Sequence, residues 1–168
     1  MTTDPLRAAV RAVRDDDSAA LIALIRGCFE EYPGCVLDVD AEEPWLRAPA
    51  TAYGEQSGRM WVATGGDDPA AGVIACIGCK PAAGQVSELK NLYVAASARR
   101  HGLGATLTGL VERSAREAGH TRMQLWTDSR FTAAHRLYQR LGYVRTGRAR
   151  ELHDLSATTE YHFSRQIA

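Results

Sequence analysis

Residues 88–105, Glu-Leu-Lys-Asn-Leu-Tyr-Val-Ala-Ala-Ser-Ala-Arg-Arg-His-Gly-Leu-Gly-Ala, constrain the fold of this chain more than any other stretch. An apolar strand runs through a short basic, glycine-containing turn straight into an amphipathic helix. Such a turn points unpaired backbone N–H groups and the positive end of a helix dipole at an anion. Arg99 and Arg100 add charge to the same loop. The pattern implies a pyrophosphate cradle for a nucleotide-like ligand; the competing reading is an ordinary helix start whose glycines serve packing.

Two other phosphate-binding patterns fail on inspection. A dinucleotide fingerprint starting at Gly102-Leu103-Gly104 would need a third glycine at 107, where the chain has Leu107. Gly104 and Gly109 have P-loop separation, but Leu110 and Val111 stand where lysine and Ser/Thr belong. What remains is Arg-x-x-Gly-x-Gly over Arg99–Gly104. Glycine at 102 and 104 lets the backbone approach a phosphate closely. Each charge-assisted N–H contact contributes about 1.5–3 kcal/mol, and the helix terminus roughly 0.3–1 kcal/mol more.

The 168 residues predict one domain, 1–168, able to bury roughly 70% of its unfolded surface. Twenty basic residues cancel twenty acidic ones, which argues against a nucleic-acid binder held by bulk charge. A local basic loop on a neutral chain points instead to a small anionic ligand. Cys76 and Cys79 form a CxxC, but inside an apolar run that reads as a strand. Positions three apart in a strand face opposite sides, so the two thiols are expected to be separate buried groups. The first ten residues lack the apolar stretch of a secretory signal, and no run is long enough to span a membrane. A cytoplasmic protein without a membrane partner is the expectation.

Alternating apolar positions predict a first strand over Leu6–Arg14. A helix over Asp17–Glu31 follows, capped by Asp15, Asp16, Asp17 and Ser18, with a buried stripe of Leu21, Ile22, Leu24, Ile25 and Phe29. Residues 35–57 are hard to read, with a short helix over Trp45–Gln56. Strands are predicted at Arg59–Thr64, Ala71–Lys80 and Gln85–Ala95, punctuated by the turns Gly65–Pro69 and Pro81–Gly84. A helix over Gly102–Gly119 has Leu103, Leu107, Leu110, Val111 and Ala118 on its buried side. Then come a strand at Arg122–Thr127, a helix at Phe131–Arg140, and strands at Tyr143–Glu151 and Thr158–Arg165. The order is mixed α+β, with one β-α-β unit among antiparallel strands.

On three segments the chain resembles the GNAT superfamily of acetyl-coenzyme A-dependent N-acetyltransferases. Glu88–Val94 looks like the family's central fourth strand. Residues 99–105 are similar to its pyrophosphate signature, Arg/Gln-x-x-Gly-x-Gly/Ala. Ala134-His-Arg-Leu-Tyr-Gln-Arg-Leu-Gly-Tyr143 looks like its late motif, Ala-x-x-Leu-Tyr-x-x-x-Gly-Phe/Tyr. The resemblance implies a mostly antiparallel sheet of six to seven strands, splayed open beside the fourth and flanked by about four helices. It implies acetyl-coenzyme A as co-substrate. The backbone of Leu92, Tyr93 and Val94 would lie along its pantetheine arm, and the loop of Arg99, Arg100, His101, Gly102, Leu103, Gly104 and Ala105 would hold its pyrophosphate. By the same resemblance Tyr138 stands where many members have a general acid, and Glu88 where some place a general base. On an ideal strand Glu88 and Val94, six apart, share a face. Many members carry an asparagine seven residues before the tyrosine; here that position is Phe131.

These expectations describe an acetyltransferase acting on a small-molecule primary amine, with a non-catalytic acyl-coenzyme A sensor or a protein-amine acetyltransferase as alternatives. The acceptor pocket is expected from residues 28–57, the hairpin turns and the C-terminal strands. Asp38, Asp40, Glu42 and Glu43 either attract a cationic amine or form solvated surface. Histidines 101, 135, 153 and 162 show no metal-ligand spacing, so no metal is expected. Segment 151–166 either pairs across a homodimer or closes the sheet of one chain.

Overall fold

The computed structural model describes residues 8–66 and 72–168. Its frame is one seven-stranded sheet in the order β1-β2-β3-β4-β5-β7-β6. The strands are β1 (Ala8–Ala12), β2 (Arg59–Gly65), β3 (Val73–Pro81), β4 (Val86–Val94), β5 (Arg122–Asp128), β6 (Val144–Glu151) and β7 (Thr159–Gln166). The helices are α1 (Ser18–Phe29), α2 (Pro49–Glu55), α3 (Leu103–Glu117) and α4 (Thr132–Arg140). Leu6 and Arg7 of the expected first strand lie outside the described residues, as do Asp67–Pro69 of the expected turn and Ala71.

The first four strands form an antiparallel meander, and α3 carries the chain across to β5, which runs parallel to β4. A parallel neighbour requires such a crossover, and a helix is its usual form. β7 pairs with β5 and β6 of the same chain, so the closing-strand reading of the C-terminal segment describes its pairing here.

Two apolar clusters sit on opposite faces of the sheet. On one, Leu21, Leu24, Ile25 and Cys28 of α1 repeat at helical spacing and pack with Leu46, Tyr53, Met60, Val62 and Cys76. On the other, Leu103, Leu107, Val111 and Ala115 of α3 cover Ile77, Cys79, Leu89, Met123, Leu125 and Phe163. Cys76 and Cys79 therefore belong to different cores, and both are free thiols. Ala118, expected on the buried side of α3, is exposed, because the helix ends at Glu117 and Ala115 takes the inward position. Leu110, Ile22 and Phe29 are only half-buried.

The start of α1 is held by Asp17, which is 7% exposed and accepts the Arg14 N–H at 2.8 Å and both Arg11 guanidinium nitrogens at 2.7 and 2.8 Å. This ion pair keeps the Asp17 carboxyl below its ordinary range.

β4 carries the feature that opens the sheet. Asn91 has φ +54°, and the β3–β4 register shifts beside it, between Cys76 and Gly78. Asparagine is among the few residues that tolerate this left-handed conformation. Its side-chain amide donates to the Tyr53 hydroxyl at 2.7 Å, and its carbonyl accepts the Cys76 thiol at 3.2 Å. The Tyr53 ring lies over Gly78 so closely that a Cβ there would fall 2.3 Å from the hydroxyl oxygen. Only glycine leaves room for that ring.

Candidate functional site

β4 and β5 pair only from Val86↔Arg122 to Leu89↔Leu125. Past the bulge, Leu92–Val94 have no strand beside them on that side, while β5 stays paired with β7 as far as Asp128↔Glu160. Tyr93 is opposite Cys76, and the Ala95 N–H reaches the Ile74 carbonyl at 2.8 Å. Alternation along an antiparallel pair then turns the peptide groups of Leu92 and Val94 toward the gap. The gap widens into a cleft of about 490 Å³ between β4, the loop before α3, and α4.

The loop closes one end of that cleft. After a single 3-10 turn at Ala96–Ala98, Arg100 adopts φ +68° and Gly102 φ +76°. No side chain caps α3, and its first internal bond is Thr106 N–H to Gly102 carbonyl at 3.0 Å. Among the described residues, no protein acceptor meets the N–H groups of 100 through 105. Left-handed residues near a helix start gather such groups into a concavity suited to an anion. The two glycines serve different ends. A Cβ on Gly102 would meet nothing within 4 Å, so its backbone angle is what calls for glycine; a Cβ on Gly104 would come within 3.0 Å of Leu137 Cδ2 on α4.

The flanking basic residues differ. Arg99 is tied into the protein: both terminal nitrogens bond Glu31, one at 2.7 Å, and Nε donates to the Val94 carbonyl at 3.0 Å. This pairing raises its already high pKa further. Its guanidinium thus anchors the loop to the end of α1, which spacing along the sequence does not reveal. Arg100 and His101 are exposed at the mouth.

A second cleft, of about 390 Å³, opens on the α1 side of the splay. Its walls come from segments far apart in sequence, including Glu43, Trp45, Tyr53, Glu88, Trp126, Tyr138 and Glu160. Three of its carboxylates are paired: Asp128 with Arg130 at 2.7 Å, Glu160 with Arg150 at 2.7 Å, and Glu88 with Lys90 at 3.7 Å. Glu43 is different. It accepts the Trp45 indole N–H and has no salt bridge among the described residues; burial pushes its carboxyl above the ordinary range. The sequence grouped Glu43 with Asp38 and Asp40, and only the structure separates it from solvated surface.

Tyr138, on α4, is 4% exposed and packs edge-on against Tyr143 and obliquely against Phe163. Its hydroxyl has no hydrogen-bond partner among the described residues and borders the second cleft. Burial raises its pKa well above the ordinary tyrosine value, so it stays protonated throughout the neutral range.

Glu88 also borders the second cleft. The expected face is corrected by the bulge: Leu89, Leu92 and Val94 all pack on the α3 side, while Tyr93 packs on the α1 side. Left-handed Asn91 resets the alternation, so Glu88 lies opposite Val94 and on the side of Tyr93. About four residues of strand separate Glu88 from Leu92, roughly 13 Å of rise. Among the described residues, no group of three or more His, Cys, Asp or Glu side chains is arranged to hold a metal ion, and no helix is long and apolar enough to cross a membrane.

Known proteins share this architecture. An acetyltransferase of the GNAT family from Staphylococcus aureus Mu50 superposes with a TM-score of 0.78 at 19% identity, covering 95% of this chain and 100% of its own. An acetyltransferase from Streptococcus agalactiae gives 0.76 at 18% identity, over 92% of this chain and 96% of its own. The yncA protein of Salmonella typhimurium, solved with its cofactor acetyl-CoA, gives 0.69 at 17% identity, over 96% and 95%. No protein of curated function matches the chain in sequence. The sequence pattern of the acetyltransferase (GNAT) family, however, matches residues 19–143, which include α1, the splayed β4, the glycine loop and α4. With the fold and the family pattern in agreement over most of its length, the chain belongs to the GNAT family of acetyltransferases.

Proposed function

We propose that this protein, acting as one catalytic domain, moves an acetyl group from acetyl-coenzyme A to a primary amine of a small molecule. The observation that carries the reading is the run of acceptor-free N–H groups at 100–105, opening on a gap that meets a second cleft at Leu92, Tyr93, Phe131 and Ala134, with Tyr138 on the wall of that second cleft. The residues present fit coenzyme A. The amides of Arg100, His101, Gly102, Leu103, Gly104 and Ala105 suit its diphosphate, with Arg99 holding the loop. The free edge of Leu92, Tyr93 and Val94 suits the amide-bearing arm, and the yncA protein, similar in fold, was solved with acetyl-CoA as its cofactor. A second cleft of about 390 Å³ lies within the size range of small-molecule sites.

When bound, the co-substrate supplies an acyl group activated as a thioester. The chain's own residues then do three things. The Leu92 N–H polarises the carbonyl and stabilises developing negative charge on its oxygen. A cleft carboxylate takes the proton of the incoming amine, which at pH 7 is neutral in only about one molecule in 2,500 for a pKa near 10.4. Glu88 is the first choice by its strand position, working through water given its distance from Leu92. Glu43 is the second choice, favoured by its burial in the same cleft. Finally, the Tyr138 hydroxyl gives its proton to the departing sulfur.

The test is release of free thiol from acetyl-coenzyme A across a panel of amines. At least one amine should support turnover. Tyr138→Phe should lower kcat about 100-fold or more while leaving coenzyme A affinity and melting temperature unchanged, because the hydroxyl has no partner to lose. Comparing Glu88→Gln with Glu43→Gln identifies the base: removing it lowers kcat/KM most near pH 7, and the deficit shrinks as pH rises toward the pKa of the amine. Tight coenzyme A binding with no turnover on any amine would contradict the proposal and favour a sensor.

A further inference from the structure

The two clefts share only Leu92, Tyr93, Phe131 and Ala134 among the described residues. On the reading above, the transferred carbonyl carbon is bonded first to a ligand in one cleft and then to a ligand in the other. It must therefore pass against these four residues. Of these, Phe131 is the large apolar side chain at the mouth of α4, facing the small Ala134 one turn on. Its ring is not free to swing. It packs against Tyr32 at 4.8 Å and Phe29 at 6.3 Å between centroids, and Phe29 packs against Tyr93 at 5.9 Å. Its backbone is pinned as well: the Phe131 N–H donates to the Asp128 carbonyl at 3.0 Å, and the Asp128 side chain is held by Arg130. A chain of four rings thus runs from α4 across the end of α1 to β4, around the junction.

We infer that Phe131, braced by Tyr32 and Phe29, sets the acyl length this enzyme accepts, admitting an acetyl group and excluding chains of four or more carbons. A methyl group fits beside a braced ring, whereas each added methylene must displace packed aromatics, and overpacked cores resist such displacement. The inference rests on the acetyl-coenzyme A reading of the cleft and adds the donor class to it.

Calorimetric titration tests it without knowledge of the acceptor. Coenzyme A, acetyl-, butyryl- and hexanoyl-coenzyme A are each titrated into the full chain and into Phe131→Ala. The wild type should bind butyryl- and hexanoyl-coenzyme A at least 10-fold more weakly than acetyl-coenzyme A. Phe131→Ala should bring butyryl within about threefold of acetyl, the ratio being read within each variant. Should Phe131→Ala fail to melt cooperatively, Phe131→Leu is titrated instead, with an intermediate ratio expected. Equal wild-type affinities for the acyl series, or a ratio that neither variant moves, overturns the length limit alone. No binding of coenzyme A itself overturns the reading of the cleft, and the length limit with it.

Discussion

The two clefts meet at a shared wall but are made of different material. The cleft before α3 has one wall of main chain from a continuous stretch, with a bulge at Asn91, a free strand edge at Leu92–Val94 and uncapped amides at 100–105, faced by side chains of α4 and the end of α1. The second cleft is built of side chains brought together over long separations. The Leu155 N–H reaches Glu42 at 2.7 Å, and the Val36 N–H reaches Ser156 at 2.8 Å. A main-chain site depends on geometry that few residue types can supply, so it leaves a fixed signature in the sequence. A side-chain site accepts many solutions. On the proposed function, recognition of a common co-substrate and recognition of a particular acceptor are thus carried by different parts of the molecule.

Substitutions that act on one cleft only would sharpen that contrast. The largest effect is expected from Gly104→Val, whose side chain would enter the cleft mouth and meet Leu137 at the contact already described. Losing two charge-assisted N–H contacts corresponds to about 3 kcal/mol or more, so coenzyme A affinity should fall at least 100-fold by calorimetry, while the melting temperature changes by only a few degrees. A smaller effect is expected from Tyr53→Phe, which removes the acceptor for the Asn91 amide. The loss of about 1 kcal/mol should lower the melting temperature by roughly 2–4 °C and weaken coenzyme A binding only a few-fold, because Cys76 still holds the bulge. If Tyr53→Phe abolished binding outright, the main-chain cleft would depend on a distant side chain, and the contrast would break.

The smallest effect belongs to the side-chain cleft. Burial raises the Glu43 carboxyl, so the folded protein holds its proton more tightly than the unfolded chain does. Stability from this group is therefore complete at acid pH and lost as pH rises through the raised value. Glu43→Gln keeps an oxygen for the Trp45 indole and removes the buried charge. Its melting temperature should exceed that of the wild type at pH 7.5, with the difference closing toward pH 4. An unchanged difference across that range would show that Glu43 is not held in a desolvated site.

What the sequence revealed follows the same division. The element order, the β-α-β crossover and the glycine loop were legible because hydrophobic period and glycine placement are local properties. The face of Glu88 was not, because a single left-handed residue, Asn91, inverts the alternation of the strand beyond it. The pairing of Arg99 with Glu31, 68 positions earlier, has no local sign in the sequence. Nor does the Tyr53 ring over Gly78, although a glycine inside a strand signals a close approach of some kind. Phe131 stood out only as a departure from the family's asparagine; its role at the junction emerges from the rings around it.

The central claim is that backbone amides ahead of α3 hold the diphosphate of coenzyme A, and amide-resolved NMR of the labelled full chain tests it most directly. On titration with coenzyme A, the largest downfield amide shifts should fall on residues 100–105, with smaller changes at Leu92 and Val94. Binding that leaves those amides unmoved while shifting others would contradict the account.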